Sequence, residues 1–397
     1  MSSYPLIKKV FIIVLWAAFS LVLSHFFASD IDIQRGLFIL LLCAGLWMSE
    51  IIPLPVTALL VPVLAYFFKI LTPAAAMAPF SNTIIFLFMG GFTLAALLNR
   101  YNIDLWLADR VIRFAGGSLW LSIVGFYGVT SILSMFISNT ATTAMMVPIA
   151  VSLIDKKFPR MRTMLLLGTA YAANIGGNGT VVGSPPNAIA AAALDLTFFE
   201  WFRVGFPTML AMFPLVIASL WFVIKPEKDA YVNKIDIATF QWSSRSKGAV
   251  ALFLFTIICW IFSSQISDLI SLKKFDHMIA ILITALAPAT GLISWKELEK
   301  KIGWGILIIF GGGLCLSSIL GSTGTTAWIA SSIFTSISNA PLWIILIISI
   351  AMMVFLTEIS SNTGSAAILV PVMFALSDQF NPAFAFAMVF GIGLAAN

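Results

Sequence analysis

Long apolar runs with few charges dominate the sequence. Eight of them approach the length of a membrane-spanning helix, at about 10–28, 36–52, 54–71, 83–99, 204–224, 248–267, 277–293 and 305–320. A hydrocarbon core of about 30 Å needs roughly 20 apolar residues in a helix, so each run predicts a membrane span. Shorter runs lie at about 119–137, 140–154, 341–356 and 364–376. The chain is therefore predicted to be an all-α polytopic protein embedded in a lipid bilayer.

The composition argues against other classes of protein. Hydrophobic residues make up 60% of the chain and charged residues 10%, whereas soluble domains have about 45–50% and about 25%. Cys43, Cys259 and Cys315 show no paired spacing that would predict a disulfide or a zinc site. His25 and His277 lie near the ends of apolar runs and are expected at the membrane interface, not on a metal. The basic residues lie between apolar runs, so no nucleic-acid partner is expected.

The positions of Lys and Arg predict the orientation. With the N-terminus in the cytoplasm, only five of the 22 basic residues fall on the opposite face: Arg35, Lys69, Arg203, Lys273 and Lys274. Cytoplasmic loops carry the excess of Lys and Arg, so this orientation is favoured, in the cell inner (plasma) membrane. It requires the runs near 119–154 and 341–376 to enter and leave on the same side. We therefore predict two re-entrant hairpins, at about 119–155 and 341–377.

The chain also repeats itself with an offset of about 222 residues. Four matches carry this observation: Ser138-Asn139-Thr140 with Ser361-Asn362-Thr363, Gly90-Gly91 with Gly312-Gly313, Thr72 with Ser294 as helix N-caps, and 172–174 with 395–397. The predicted domains are a leading transmembrane helix (1–34), a first repeat (35–224), a cytoplasmic linker (225–246) and a second repeat (247–397).

The two repeats are predicted to have opposite orientations in the membrane. The first begins outside, near Arg35, and the second begins inside, after the basic linker. Inverted-topology repeats are typical of secondary transporters, whose sites lie near the midplane at broken helices. The two Ser-Asn-Thr tips are expected to enter from opposite sides and to meet in the middle.

A Ser-Asn-Thr tip suits a site for ions and anions. Irregular backbone cannot face lipid, so a tip at mid-membrane must be buried in protein or line a wet cavity. Ser and Asn oxygens and freed carbonyls are hard, neutral ligands for Na⁺, while amide and hydroxyl donors and the next helix N-terminus suit a carboxylate. The alternative is that these side chains only hold helices together. Two copies at mirror-related positions favour a site.

A second polar stretch interrupts the run that follows the first hairpin. Residues 174–187 (NIGGNGTVVGSPPN) contain four glycines and two prolines, which break helices. The flanking apolar segments are too short for two separate spans. We therefore predict a broken helix at about 163–195, unwound at mid-depth.

These motifs resemble those of the divalent anion:sodium symporter family, dicarboxylate branch. The resemblance is carried by 134–146 (SMFISNTATTAMM), by the second Ser-Asn-Thr and by 183–187 (GSPPN), and it covers essentially the whole chain. It implies a homodimer with a transport domain that moves as an elevator within a scaffold. It also implies Na⁺ as the co-transported ion and no organic cofactor.

The resemblance further implies particular site residues. One sodium site would use Ser134, Ser138, Asn139 and the Gly183 carbonyl. The other would use Thr357, the Ser360 carbonyl and Asn362. Substrate would be bound by Ser138, Asn139, Thr140, Ser184, Ser361, Asn362 and Thr363.

Two further expectations concern the second repeat. The match of 172–174 with 395–397 places Asn397 where the second broken segment should begin, so we expect a sequence truncated within this repeat and poor transport by a protein ending there. Glu50 and Glu358 lie near span ends or hairpin arms. Glu358, next to the second tip, is a candidate for ion coupling, with snorkelling or pairing within the scaffold as the alternative.

The expected function is sodium-coupled symport of a C4-dicarboxylate such as succinate, fumarate or malate. A buried dianion is strongly disfavoured without cations, and no Lys or Arg lies at either tip. One alternative is a dicarboxylate exchanger of the same fold without net sodium coupling. Another is an anion channel, although no charged ring or carbonyl filter sequence is present. An enzyme is not expected, since no nucleophile–base pair or metal motif occurs.

Overall fold

The computed structural model describes residues 5–233, 241–337, 340–377 and 380–397. The predicted linker residues 234–240, with Lys234, lie outside the described residues. Within the described ranges the chain forms helices and no strand, apart from a single bridge between Ile154 and Val232. The predicted all-α fold is confirmed.

The first half of the chain contains eleven α-helices and two 3₁₀ turns. They are α1 (Leu6–Phe27), α2 (Ile31–Ser49), α3 (Leu54–Phe67), α4 (Pro73–Met77), a turn (Ala78–Ser81), α5 (Thr83–Arg100), α6 (Ile103–Phe114), α7 (Leu119–Ser134), α8 (Asn139–Leu153), α9 (Pro159–Gly177), a turn (Val181–Gly183), α10 (Pro185–Ala193) and α11 (Phe198–Ile224).

The second half is also helical throughout its described residues. Its helices are α12 (Ser244–Ile261), α13 (Ser263–Ile270), α14 (Phe275–Ala289), α15 (Trp295–Lys301), α16 (Trp304–Ser322), α17 (Thr325–Ile337), α18 (Leu342–Ile359), α19 (Asn362–Ser377) and α20 (Pro382–Ala395).

Seven described segments are long and apolar enough to cross a membrane: Leu6–Phe27, Ile31–Ser49, Pro73–Arg100, Phe198–Ile224, Ser244–Ile261, Trp304–Ser322 and Leu342–Ile359. The chain is a multi-pass membrane protein. The last segment is α18, which the distribution of basic residues assigns to a hairpin arm. Its length alone suits a full span, so the re-entrant topology stays a prediction.

The helices recur with the offset found in the sequence. Five helices of the first half begin 222 or 223 residues before a counterpart: α4 before α15, α6 before α17, α7 before α18, α8 before α19, and α9 before α20. The two predicted N-caps are confirmed, since the hydroxyls of Thr72 and Ser294 accept the backbone N–H groups of Ala75 and Glu297, each at 3.3 Å. The helix order supports the duplication. The inverted orientation and the repeat boundaries stay predictions.

The chain divides into two compact units. Unit 1 comprises Met1–Ile85, Pro185–Leu196 and Gly303–Asn397, and unit 2 comprises Phe86–Ser184 and Thr197–Ile302. Each unit therefore takes helices from both predicted repeats. The first Ser-Asn-Thr tip belongs to unit 2 and the second to unit 1.

One close helix contact occurs in both units at equivalent positions. In unit 2, a Cβ added to Gly90 of α5 would lie 2.6 Å from the Ala280 Cβ of α14. In unit 1, a Cβ added to Gly312 of α16 would lie 2.5 Å from the Ala58 Cβ of α3. Gly312 and Ala280 each follow their counterpart by the same 222 residues. The glycines let the helix backbones approach closely, as small residues do between membrane helices.

The core of unit 2 lies around α7, α8 and α9. Phe126, Tyr127 and Met164 are buried within it, and the Tyr127 hydroxyl donates to the Met164 carbonyl at 2.7 Å. His277, expected at an interface, is 2% exposed, and its Nδ1 lies 2.9 Å from the Asp276 Oδ1. The other oxygen of Asp276 accepts the Phe198 N–H at the start of α11. This buried pair ties α14 to α11.

Candidate functional site

The first tip joins α7 to α8 through residues 135–138. Ser138 caps α8, and its Oγ accepts the Ala141 N–H at 3.4 Å. The Ser134 hydroxyl, which is fully buried at the end of α7, donates to Asn139 Oδ1 at 2.9 Å. This contact crosses the turn and fixes the first residue of α8.

The glycine-rich end of α9 packs against this tip. A Cβ added to Gly177 would lie 2.4 Å from Asn139 Oδ1, and one added to Gly183 would lie 2.4 Å from the Gly177 carbonyl oxygen. Both distances are far inside van der Waals contact. Only glycine fits at position 183, where the facing atom belongs to the backbone, and a side chain at position 177 would displace the Asn139 amide. The Thr180 hydroxyl donates to the Met135 carbonyl and holds the unwound segment on the tip.

Contacts therefore bring the four residues of the first predicted sodium site into one neighbourhood. Ser134 contacts Asn139, Asn139 lies against Gly177, Gly177 lies against Gly183, and Ser138 precedes Asn139 in the chain. All offer neutral oxygens. No group of three or more His, Cys, Asp or Glu suited to a metal occurs among the described residues. The arrangement suits a hard monovalent cation better than a transition metal.

The predicted substrate residues of unit 2 differ in exposure. Thr140 is exposed on the first turn of α8, whereas Ser184 is 3% exposed and ends the unwound segment. Ser138 and Asn139 are half-buried, so their exposure is intermediate between those of Thr140 and Ser184. Their assignment to substrate stays a prediction.

The second tip lies in unit 1, between α18 and α19. The Ser361 Oγ accepts the Gly364 N–H at 3.0 Å, while Asn362 and Thr363 begin α19 and are half-buried. Thr357, predicted to bind sodium, instead donates its hydroxyl to the Val354 carbonyl of its own helix at 2.8 Å. A hydroxyl oxygen that donates one bond still carries lone pairs for a cation.

Two buried hydroxyls at the second tip have no hydrogen-bond partner among the described residues. They are the Oγ atoms of Ser360, a predicted sodium residue, and of Ser365, one turn into α19. Buried polar atoms are nearly always paired, so an orphaned one needs an explanation such as a water or an ion. Ser365 was not among the site residues predicted from the sequence, the last of which is Thr363. The only signal for it was a hydroxyl within an otherwise small and apolar stretch.

Sequence reasoning also missed a polar contact in unit 1. The side chain of Asn397 donates to Asn187 Oδ1 at 2.8 Å, and Asn187 is fully buried. This bond joins the start of α10 to the end of α20. Glu358 is exposed at the end of α18, and its part in ion coupling stays a prediction.

Unit 1 contains a cavity of about 300 Å³ between α16 on one side and α10 and α19 on the other. Its polar lining comes from Asn82, Ser317 and Ser318. None of the predicted site residues lines it. The cavity lies further along α19 than the tip, at Val370 to Phe374.

Polar, glycine-broken segments among apolar helices are typical of membrane transporters. The sequence profile described as "Citrate transporter" (CitMHS) matches residues 44–391. The chain belongs to this family. The resemblance to the divalent anion:sodium symporters is thereby confirmed, and the family consists of transporters and not enzymes.

Several curated proteins are similar along most of their length. An uncharacterized transporter of Haemophilus influenzae is 36% identical over 91% of this chain and 81% of its own. An uncharacterized transporter of Methanocaldococcus jannaschii is 37% identical over 89% of this chain and 82% of its own. The sodium-dependent dicarboxylate transporter SdcS of Staphylococcus aureus is 31% identical over 90% of this chain and 76% of its own.

Proposed function

We propose that the protein is a secondary active transporter that carries C4-dicarboxylates, such as succinate, fumarate or malate, together with Na⁺. The observation that carries the proposal is the neutral oxygen cluster at the first tip, where Ser134, Asn139 and the unwound segment after α9 converge. The relatives named sodium-dependent dicarboxylate transporters support both the ion and the substrate class.

Electrostatics supports the coupling. The segments 119–154, 163–194 and 341–377 contain no Lys or Arg. A dicarboxylate between such segments meets only neutral donors, and a buried dianion without countercharge is strongly disfavoured. Bound sodium ions supply that countercharge. Binding of the cations therefore favours binding of the dicarboxylate, and binding of the dicarboxylate favours binding of the cations. The orphaned hydroxyls of Ser360 and Ser365 support a second cation or its water at the other tip.

The remaining features follow the family resemblance. The protein works as a homodimer in the cell inner (plasma) membrane, with its N-terminus in the cytoplasm, and moves substrate by an elevator mechanism. The meeting of the two tips around one substrate is a prediction from the sequence. Cysteine cross-linking between positions 139 and 362 tests it.

The test is uptake by proteoliposomes that contain the purified protein. Radiolabelled succinate is offered with an inward Na⁺ gradient, with K⁺ in its place, and with vesicles preloaded with unlabelled succinate. Accumulation that requires the Na⁺ gradient is expected. Uptake that requires only preloading points to the exchanger, and uptake that does not saturate points to a channel.

The substrate class is tested in the same vesicles. Unlabelled succinate, malate, citrate and sulfate compete with labelled succinate. Citrate is included because the family is described as citrate transporters. Competition by succinate and malate at lower concentrations than by citrate or sulfate is expected. The reverse order would replace the proposed substrate.

A further inference from the structure

The segment that follows α11 folds back onto the base of the first hairpin. We call residues 225–233 the linker strap. Lys225 adopts a left-handed conformation (φ 51°) that reverses the chain after α11. Ala230 is 8% exposed and belongs to the core cluster of unit 2, so the strap is built into this unit.

The strap pairs with the end of α8. Val232 and Ile154 form an antiparallel bridge, and the Asn233 N–H donates to the Leu153 carbonyl at 2.8 Å. The Asn233 side chain donates to the Ser152 carbonyl at 3.1 Å. These bonds satisfy carbonyls at the end of α8 that have no partner within the helix.

The strap also caps the start of α9. Phe158 stands at the N-cap position and supplies no side-chain bond. Instead, the two carboxylate oxygens of Glu227 accept the N–H groups of Arg160 and Met161 at 3.1 and 2.7 Å. A carboxylate at a helix N-terminus is favoured by the helix dipole as well as by its hydrogen bonds.

Tyr231 covers the connection between the two helices. Its hydroxyl accepts a hydrogen bond of 2.8 Å from Lys157 Nζ, and its ring meets the Phe158 ring edge to face at 5.5 Å. The strap thus holds the end of α8, the connecting loop and the start of α9 together.

The opposite ends of α8 and α9 form the first tip site. α8 begins at Asn139, and α9 ends at Gly177, where the two residues are in contact. A helix is a stiff rod of about 1.5 Å per residue. A change in how the two helices are joined at their base therefore displaces Asn139 relative to Gly177 at the other end.

From this geometry we infer that Glu227 is a positioning residue for the sodium site, and that the strap stays docked throughout transport. The inference rests on the proposed function, since it assigns a role toward the same site. Glu227 does not contact the ion; it acts through α9 on the place where Asn139 meets Gly177.

The first readout is the sodium dependence of succinate uptake. Glu227→Ala is expected to raise the Na⁺ concentration for half-maximal uptake by about threefold to tenfold, with a smaller effect on the maximal rate, as for residues that act on a site through other residues. Glu227→Asp keeps the acceptor and is expected to restore most of the affinity. The matched control is Asp229→Asn, which removes a charge from an exposed position of the same strap.

The second readout does not depend on sodium or transport. Nitroxide labels at positions 141 and 171, both exposed, report the spacing of α8 and α9 near the tip by continuous-wave EPR. Glu227→Ala is expected to broaden the distribution of distances between the two labels, whereas Asp229→Asn is expected to leave it unchanged. If the wild-type protein shows no sodium-dependent uptake, the proposed function fails, and the EPR comparison still decides whether the strap positions the tip.

A disulfide tests whether the strap stays docked. The bond from the Asn233 N–H to the Leu153 carbonyl places Ile154 opposite Val232 as a non-hydrogen-bonded pair, in which Cα atoms lie about 4.5 Å apart, a spacing a disulfide can bridge. Cysteines at 154 and 232 are expected to cross-link without loss of uptake and to restore sodium affinity in the Glu227→Ala background. Loss of uptake on cross-linking, or unchanged affinity and EPR spectra in Glu227→Ala, would overturn the inference.

Discussion

The Ser134 hydroxyl donates to the amide oxygen of Asn139 across the turn between α7 and α8. This bond fixes the amide of Asn139 and presses its oxygen against Gly177. The first tip is therefore held from two sides, by its own hairpin and by the end of α9.

Asn139 is expected to be essential for transport. Asn139→Ala removes the acceptor of Ser134 and one oxygen of the proposed sodium site, so uptake should fall by about tenfold to a hundredfold, as after loss of a metal-site partner. The measurement is sodium-dependent succinate uptake. Ser152→Ala is the control, because its hydroxyl bonds only within α8, to the Ile149 carbonyl. Equal uptake by both variants would remove Asn139 from the site.

A side chain at Gly177 is expected to displace the Asn139 amide. Gly177→Ala would place a Cβ within 2.4 Å of Asn139 Oδ1 and force the tip away from α9, at a cost of about 1–3 kcal/mol. Gly128→Ala is the matched control, since no atom lies within 4 Å of an added Cβ there. Thermal unfolding in detergent and the sodium dependence of uptake should both change for Gly177→Ala alone. A Gly177→Ala protein with normal sodium affinity would contradict the described contact.

The equivalent glycine contacts should respond alike. Gly90→Ala and Gly312→Ala each create an overlap with an alanine of the facing helix and should destabilise the protein by about 1–3 kcal/mol. Adding Ala280→Gly to the first variant, or Ala58→Gly to the second, should recover little of the loss, because the added Cβ would still lie 2.8 Å from the Ala280 Cα or 2.7 Å from the Ala58 Cα. Thermal unfolding of the single and double variants checks this. Single variants as stable as the wild type would mean that these contacts do not limit the packing.

The unpaired hydroxyl of Ser365 is expected to contribute to the stabilisation of the protein by Na⁺. Leaving a buried hydroxyl unpaired costs about 1–3 kcal/mol, so Ser365→Ala should be as stable as the wild type or more so in sodium-free buffer. If the hydroxyl serves a bound ion or its water, the stabilisation on adding Na⁺ should shrink. Ser377→Ala is the control, because that buried hydroxyl bonds the Phe374 carbonyl. An unchanged sodium response in Ser365→Ala would show that its hydroxyl serves no ion.

The linker strap is expected to loosen in acid. Burial alone would raise the pKa of Glu227, but the N–H groups that it accepts and the nearby Arg160 outweigh it and hold the pKa below the ordinary value of 4.5. The carboxylate therefore stabilises the docked strap fully above pH 4.5, and this contribution is lost as the pH falls through the lower folded value.

A nitroxide at position 228, which is exposed on the strap, measures this loosening by its mobility. Mobility should rise on acidification in the wild type and should already be high, with little dependence on pH, in Glu227→Gln. A wild-type spectrum that stays the same well below pH 4.5 would contradict the role of the carboxylate.

Local patterns in the sequence predicted the helices and the two N-caps well. Apolar length fixes where a helix can lie in a membrane, and Thr72 and Ser294 cap because their hydroxyls act on N–H groups three residues away. The Ser-Asn-Thr tips and the break after α9 were found for the same reason. Four glycines and two prolines within residues 174–187 are dense enough to break a helix, whereas single prolines such as Pro148 and Pro371 stand inside helices.

Relations between distant residues depended on the fold. The sequence alone determined an all-helical, duplicated membrane protein with polar breaks, because hydropathy and helix-breaking act over a few residues. Only the tertiary structure decided that Gly90 packs on Ala280 and Gly312 on Ala58, and that Glu227 caps α9. Those contacts arise from side-chain volumes and unpaired backbone groups meeting across the fold, and neither leaves a periodic signal in the chain.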